Sequence, residues 1–436
     1  MRGGRYRPLL RQDRQELTVR VLYINHVSQI GGAEVSLLAL LRGLNRSEFD
    51  PIALCPPGAE LPRRLSAIGV PVYTARLPRH GRSIAEAARQ LVQGPLLSRW
   101  LAQRLREWKV DLVHTNSLSA QIATGAAAQE AGLPVIWHMH SILKRRWPNG
   151  VALRRAGHNA DRVICVSRAV ARELEAWRIP GAKLTVIYNG LDLGERFSPR
   201  AATGLFRAQC GLPADAQLVA IIGQLTPAKG QDVFLRAAAT IAADHPRAAF
   251  LIVGAPLFGD QRWPRRLQRL AQQLGIQDRV IFTGARSDIP SLLSEVRFVV
   301  HASVAADALP TVLLEAGAMA KPAVATRSGG ASEIIEDGGT GLLVPPGDAE
   351  AMAAAMDRLL SDAETAAAMG AAARGVIEKR FANEKFVQRV EQLYREVLCA
   401  PAPAAPPCDR GAPSIGAASA DNRVPDARGA PDEDHR

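Results

Sequence analysis

The sequence reads as an α/β protein with two Rossmann-like, doubly wound parallel-sheet domains facing each other across a cleft. Three observations predict this. At 436 residues the chain is too long for one hydrophobic core and suits two or three domains. Short β-rich runs alternate with helical stretches, the order expected of a parallel sheet covered by helices. That alternation halts at YNGLDLGERFSPR (188–200) and then begins again.

The elements follow in order. VRVLYINHV (19–27) predicts a buried strand and AEVSLLALLRGL (33–44) a helix. PIALCPP, VPVY (70–73), DLVHTNS, PVIWHMH, RVICVS and KLTVIYNG continue the strand series, with Ala/Leu/Arg-rich helical segments between several of them. After the break, QLVAIIGQL (217–225), AAFLIVG (248–254), RVIFTG (279–284), VRFVVHAS (296–303), PAVAT (322–326) and GLLVPPGD (341–348) form the second series. Neither series alternates strictly between apolar and polar residues, which fits strands buried on both faces. NEKFVQRVEQLYREVL (383–398) is amphipathic and predicts a last helix. The expected division is a basic extension over 1–19, a first domain over 20–195 and a second over 196–380. A terminal helix over 381–399 and a tail over 400–436 complete it. The tail is rich in Ala, Pro, Asp and Arg and has no core-forming pattern, so disorder is expected there. Its Asp432-Glu433-Asp434 run resembles a metal-binding DxD but sits where only solvated charge is expected.

Composition excludes several classes. The chain is 47% hydrophobic and 22% charged, the balance of a globular protein. No apolar run approaches the roughly 20 residues that a membrane-spanning helix needs. Residues 1–20 are Arg-rich and lack an apolar segment, so no secretory signal is expected. Five cysteines stand at 55, 165, 210, 399 and 408 with no CxxC pair, which predicts a reduced, cytoplasmic setting. Charge is uneven. Residues 1–200 hold 30 Lys+Arg against 15 Asp+Glu, while the remaining 236 hold 24 against 27. A basic first half points to an anionic partner or, on the plainer reading, to a surface solvated by arginine. The arginines lack interleaved aromatics, so no nucleic-acid partner is expected.

Ligands of doubly wound sheets bind outside the carboxyl ends of the strands, and the informative residues follow strands here. Gly31 and Gly32 follow the first strand and precede a helix, where close backbone and a helix N-terminus favour an anion. A bare GG is equally a tight turn, and neither a GxGxxG nor a P-loop pattern accompanies it. His138 and His140 end a strand at period-two spacing and share one face. Each can serve a site or stay as a satisfied structural histidine, and no third ligand supports a zinc pair. IGQLTPAKG (222–230) opens the second half as the GG segment opens the first, and places Lys229 where a point charge can meet phosphate. In HASVAADALPTVLLEAGAMA (301–320) a loop delivers Asp307, and Pro310 and Thr311 start a helix. Glu315 lies one turn after Thr311, on the same side. Both carboxylates can then serve one polyhydroxylated ligand, with a phosphate at the helix start.

The acid-x7-acid segment, AVATRSGGASEII and EDGGTGLLVPPGD resemble the retaining, nucleotide-sugar-dependent glycosyltransferases of family 4, also called glycosyl transferases group 1. The resemblance covers about residues 20–398 and includes IGGAE, VSRAV, YNGLD and Lys229-Gly230. It implies a GT-B fold, a terminal helix crossing back to the first domain, a nucleoside-diphosphate-sugar donor on the second domain and no required metal or other cofactor. By position it implies that Glu315 binds the ribose, Asp307 the transferred sugar and Lys229 the diphosphate, with Gly31–Gly32 covering it. His140 matches the family histidine near the reacting carbon. Gln224, Arg286, Leu309, Thr311 and Val312 fall on the donor side, and Asn116 and Arg145 on the acceptor side. Asp307 replaces the commoner Glu, Gln224 replaces a phosphate-binding Arg, and Ser141 stands where Asp is frequent. The resemblance also implies bacterial surface-polysaccharide or glycolipid synthesis, with a lipid-linked or saccharide acceptor and work at the inner membrane face. Rival readings are another GT-B enzyme, such as a phosphorylase or nucleotide-sugar epimerase, and a non-catalytic nucleotide-sugar-binding protein.

Overall fold

A computed structural model describes residues 18–58, 60–77, 84–143, 149–194, 197–199, 205–256 and 262–399. The extension up to residue 17, the tail from residue 400, and Arg145 all lie outside the described residues.

The first half holds β1 (Val19–Ile24), α1 (Gly32–Gly43), β2 (Phe49–Cys55), α2 (Glu60–Ala67), β3 (Val72–Thr74) and α3 (Ile84–Glu107). It continues with β4 (Leu112–Thr115), α4 (Leu118–Glu130), β5 (Val135–Met139), α5 (Asn149–His158), β6 (Arg162–Cys165), α6 (Arg168–Ala176) and β7 (Leu184–Val186). Every described pairing is parallel, in the order β3-β2-β1-β4-β5-β6-β7. Residues such as Val21, Leu22, Val113, Ile136 and Ile164 are fully buried, which explains why these strands read as unbroken apolar runs.

The second half begins with α7 (Leu205–Cys210), β8 (Gln217–Ile222), α8 (Gln231–Ile241), β9 (Ala248–Val253) and α9 (Arg262–Gln273). Then come β10 (Val280–Gly284), α10 (Ile289–Glu295), β11 (Phe298–His301), α11 (Thr311–Ala318), β12 (Ala323–Thr326), α12 (Ala331–Ile334) and β13 (Gly341–Val344). Its parallel sheet runs β10-β9-β8-β11-β12-β13. Helices α13 (Ala349–Ser361), α14 (Ala363–Arg380) and α15 (Asn383–Cys399) close the chain.

Both sheets reverse their winding at one point, between β1 and β4 in the first and between β8 and β11 in the second. The loops leaving these four strands are therefore where a ligand crevice forms. They carry Asn25 and Gly31, Asn116, Gln224 and Lys229, and Asp307.

Helix α15 packs on the first sheet, not the second. Phe386, Val387, Val390, Leu393 and Tyr394 share a core with Val21, Tyr23, Leu37, Leu41 and Phe49. Polar contacts fix its register. Glu391 Oε1 accepts from Asn45 N at 2.8 Å, and Arg395 grips both oxygens of Glu48 at 2.6 Å each. The chain returns beside its outward path, where Leu191 N donates to Phe381 O and Asn383 N to Leu191 O.

Candidate active site

On the second domain, a single 3-10 turn over Pro227–Lys229 brings Lys229 Nζ to Asp307 Oδ2, which accepts its hydrogen bond. His301, the last residue of β11, donates from Nε2 to the same oxygen at 3.3 Å. Burial alone pushes the Asp307 carboxyl upward, but the hydrogen bond from His301 and the charge of Lys229 outweigh it and hold the group well below the usual carboxylate range. The loop is tight by construction. At Gly230 (φ +67°) a Cβ would lie 2.0 Å from Ala302 O, and at Gly329 (φ +59°) 2.0 Å from Asp307 O. Only glycine admits both contacts. Gly330 N then donates to Asp307 O at 2.8 Å.

Pro310 precedes α11, which starts at Thr311. The Leu309 and Val312 side chains belong to the hydrophobic core, so what they offer a ligand is backbone at the helix start. Glu315 is half-buried one turn further on. Gln224 is half-buried, and its carbonyl accepts from Gln231 Nε2 at 2.9 Å. The Arg286 side chain is expected on the donor side, and here its contacts are within the protein. It grips both oxygens of Asp288 at 2.7 and 2.5 Å and lies over the Phe206 ring.

On the first domain, Gly31 and Gly32 are exposed at the start of α1. The atom nearest a Cβ built on Gly32 is Thr311 Cγ2, at 4.0 Å. The glycine loop thus faces the start of α11 across the cleft. His140 Nε2 lies 3.0 Å from Asn116 Oδ1, and its ring lies against that of His138, with centroids 4.0 Å apart and planes tilted by 35°. His138 is 1% exposed. Its Nδ1 lies 3.3 Å from His114 Nε2, and His114 Nδ1 lies 2.7 Å from the Tyr394 hydroxyl on α15. Burial drives all three imidazoles toward the neutral form, His114 and His140 down to about 3. His138 is therefore the structural histidine of the pair.

Asn116, expected on the acceptor side, is 0% exposed and its amide is hydrogen-bonded to protein atoms. Nδ2 donates to Asn25 Oδ1 and Ala33 O, both at 3.2 Å, while Oδ1 faces His140. Its partners are protein atoms, His140 among them.

Two residues not singled out in the sequence connect the halves. Glu333, in α12, accepts from Arg168 N and Ala169 N at the start of α6, both at 2.8 Å, and from the Tyr188 hydroxyl at 3.0 Å. Arg380 Nη2 donates to Glu333 O at 3.0 Å within the second half, and its guanidinium lies over the Tyr188 ring of the first half, 5.8 Å from the centroid. Beside this contact a cavity of about 280 Å³ opens between Ile142, Ala169, Arg172 and Glu173 on one side and Ala306 and Gly329 on the other. Among the described residues no cluster of three or more His, Cys, Asp or Glu side chains is placed to hold a metal ion.

Two Rossmann-like domains with a crevice between their switch points that holds the Lys229–Asp307 pair have the architecture of a GT-B glycosyltransferase. Comparison with known proteins gives the family. Residues 204–376 match the family described as Glycosyl transferases group 1, and residues 30–195 match Glycosyltransferase Family 4. The chain is 31% identical over 323 residues to the GDP-mannose-dependent alpha-(1-6)-phosphatidylinositol monomannoside mannosyltransferase of Mycolicibacterium smegmatis, covering 70% of this chain and 82% of that protein. It is 31% identical over 313 residues to the D-inositol 3-phosphate glycosyltransferase of Thermobispora bispora, covering 66% and 71%. Among solved structures, Anabaena HepE in complex with UDP superposes with a TM-score of 0.76 at 26% identity, covering 87% of this chain and all of that one. The chain belongs to glycosyltransferase family 4. It is an enzyme of glycosyl transfer.

Proposed function

We propose that this enzyme is a retaining, metal-independent glycosyltransferase that moves a sugar from a nucleoside-diphosphate sugar to a lipid-linked or saccharide acceptor. The observation that carries the reading is the Lys229–Asp307–His301 cluster beside the start of α11, with Gly32 opposite. HepE has been crystallised with UDP and with UDP-glucose, which supports a nucleotide-sugar donor here.

Each group then has a task. Lys229 exchanges Asp307 for the donor diphosphate and meets the charge that grows as the nucleotide leaves, together with backbone amides of α11 and the glycine loop. Asp307, released from Lys229 and still held by His301, accepts from hydroxyls of the sugar. Glu315 accepts from the ribose hydroxyls. The departing phosphate takes the acceptor proton, so the acceptor side needs no carboxylate base.

The excess of basic residues in the first 200 positions supports an anionic acceptor at the cytoplasmic membrane face, in surface-polysaccharide or glycolipid assembly. Arg63, Arg64 and Arg76 are exposed there, and each basic residue near an anionic surface contributes about 1 kcal/mol. Among the described residues no helix is long and apolar enough to cross a membrane. The deciding experiment screens UDP-, GDP- and ADP-sugars for protection against thermal unfolding, then follows transfer and the anomeric configuration of the product. Protection by one donor and a product of retained configuration are expected. Inversion overturns the mechanism, and binding without transfer to any acceptor overturns the enzymatic role of the site. Salt-insensitive partitioning between anionic and neutral vesicles overturns the membrane setting.

A further inference from the structure

The hydrogen bonds behind His140 run in one direction. Ala33 O is purely an acceptor, so the group of Asn116 lying 3.2 Å from it is the NH2 group, which also donates to Asn25 Oδ1. Asn116 Oδ1 is then left for His140, and His140 Nε2 at 3.0 Å must carry the hydrogen. The same logic fixes Asn25. Its NH2 group faces Val27 O at 2.8 Å and Glu34 Oε1 at 3.1 Å, both acceptors. Glu34 Oε2 accepts from Gly31 N at 2.9 Å. Donation therefore passes from His140 through Asn116 and Asn25 to Glu34, which also collects the N–H of the glycine loop. Asn116, Asn25 and Glu34 are 0, 2 and 5% exposed, so water is not there to substitute for a missing partner.

We propose that Glu34, acting through Asn25 and Asn116, is a positioning residue for glycosyl transfer: it fixes His140 as the neutral Nε2–H tautomer and ties the glycine loop to the same carboxylate. The inference rests on the reading that His140 stands at the donor sugar. A neutral ring suits that place, because positive charge develops on the sugar as the nucleotide leaves, and an imidazolium would oppose it. Anchoring the loop and the histidine to one group means that the element over the diphosphate and the element at the reacting carbon keep a fixed separation. Glutamate is required because two N–H donors converge on its two oxygens. A glutamine of the same shape would turn an NH2 group toward one of them.

The test compares Glu34→Gln, Asn25→Ala and His140→Ala with the parent enzyme. Turnover, donor Kd and the ¹⁵N spectrum of selectively labelled histidines are measured, with melting temperature as a check on folding. Asn25→Ala leaves the Glu34–Gly31 contact in place and opens the chain to Asn116, so it separates loop anchoring from histidine positioning. Breaking a buried hydrogen bond to a charged group predicts about a 10- to 100-fold fall in kcat for both Glu34→Gln and Asn25→Ala. Donor Kd is expected to change less than kcat, and the His140 signals should move from the pure Nε2–H pattern to a mixture. Normal turnover in both variants overturns the proposal. So does reduced turnover with the tautomer intact, which would leave Glu34 as a loop anchor only. Normal turnover in His140→Ala would instead remove the underlying reading of His140.

Discussion

Glu333 offers the most direct test of how the two halves are held. Its carboxylate receives two backbone N–H groups that open α6 and one tyrosine hydroxyl, all within 3.0 Å. Hydrogen bonds to charged groups contribute about 1.5–3 kcal/mol each. Glu333 is only half-buried, and water can re-solvate the freed N–H groups, so about 1 kcal/mol per bond is the defensible figure at such a site. Glu333→Ala should therefore destabilise the docked arrangement by about 2–3 kcal/mol, a shift of about 30- to 150-fold in the docking equilibrium. Small-angle X-ray scattering reads this as an increased radius of gyration, and donor affinity falls by up to the same factor if both faces must meet the donor. An unchanged scattering profile together with unchanged donor affinity, in a variant with a normal melting transition, would refute the assignment of Glu333 as an interdomain tie.

Other substitutions probe the donor site. Glu315→Gln should weaken donor binding by about 10- to 100-fold in calorimetry, because an amide accepts less strongly from two ribose hydroxyls, and unchanged affinity would remove Glu315 from the ribose. Lys229→Ala should cut kcat by about 100-fold or more at saturating donor, whereas Gln224→Arg, which adds a charge beside the diphosphate, should leave activity intact or raise it. Stability should also respond to pH. His114 titrates near 3 when folded and His138 also well below its ordinary value, while unfolded histidines titrate near 6.5. Their contribution is thus fully present above about pH 6.5 and is lost as the unfolded chain takes up protons on acidification, by about 1.4 kcal/mol per pH unit for each histidine. Denaturant melts at pH 7.5 and 5.0 should show a smaller acid loss in His114→Gln than in the parent, and equal losses would count against a neutral buried pair.

All the strand runs read from the sequence are strands in the structure, and α1 begins one residue before its expected start. The reason is physical. Strands buried on both faces advertise themselves as apolar runs, and the loops after them are where ligand-binding residues are sought. Lys229, Asp307 and the start of α11 stood out for that reason, each lying within a few residues of a strand end, and the structure brings Lys229 to Asp307. His301 was not, because a histidine finishing an apolar strand looks like one more buried residue until the fold brings Lys229 and Asp307 together. Glu333 and the α6 amides are 165 residues apart, and Tyr394 reaches His114 across 280. One sequence holds no signal for such pairings. The partners of Asn116 were hidden for a related cause. A polar residue after a strand looks available, and only packing reveals that Asn25, Ala33 and His140 have already claimed it. Arg286 hid a similar commitment to Asp288.

The return of α15 to the first sheet also bears on how the protein is made. Tyr23 and Phe49 are sealed by residues of α15, and the Tyr394 hydroxyl that donates to Tyr23 lies 371 positions further along the chain. At roughly 5–20 residues per second, a ribosome needs roughly 20–70 s to cover that distance. For that interval the emerging first half bears an apolar face with nothing to cover it, a window open to aggregation and to chaperone capture. The second half, whose sheet closes over its own helices, can mature meanwhile. The half that is synthesised first is therefore covered in full only by the last helix described, α15.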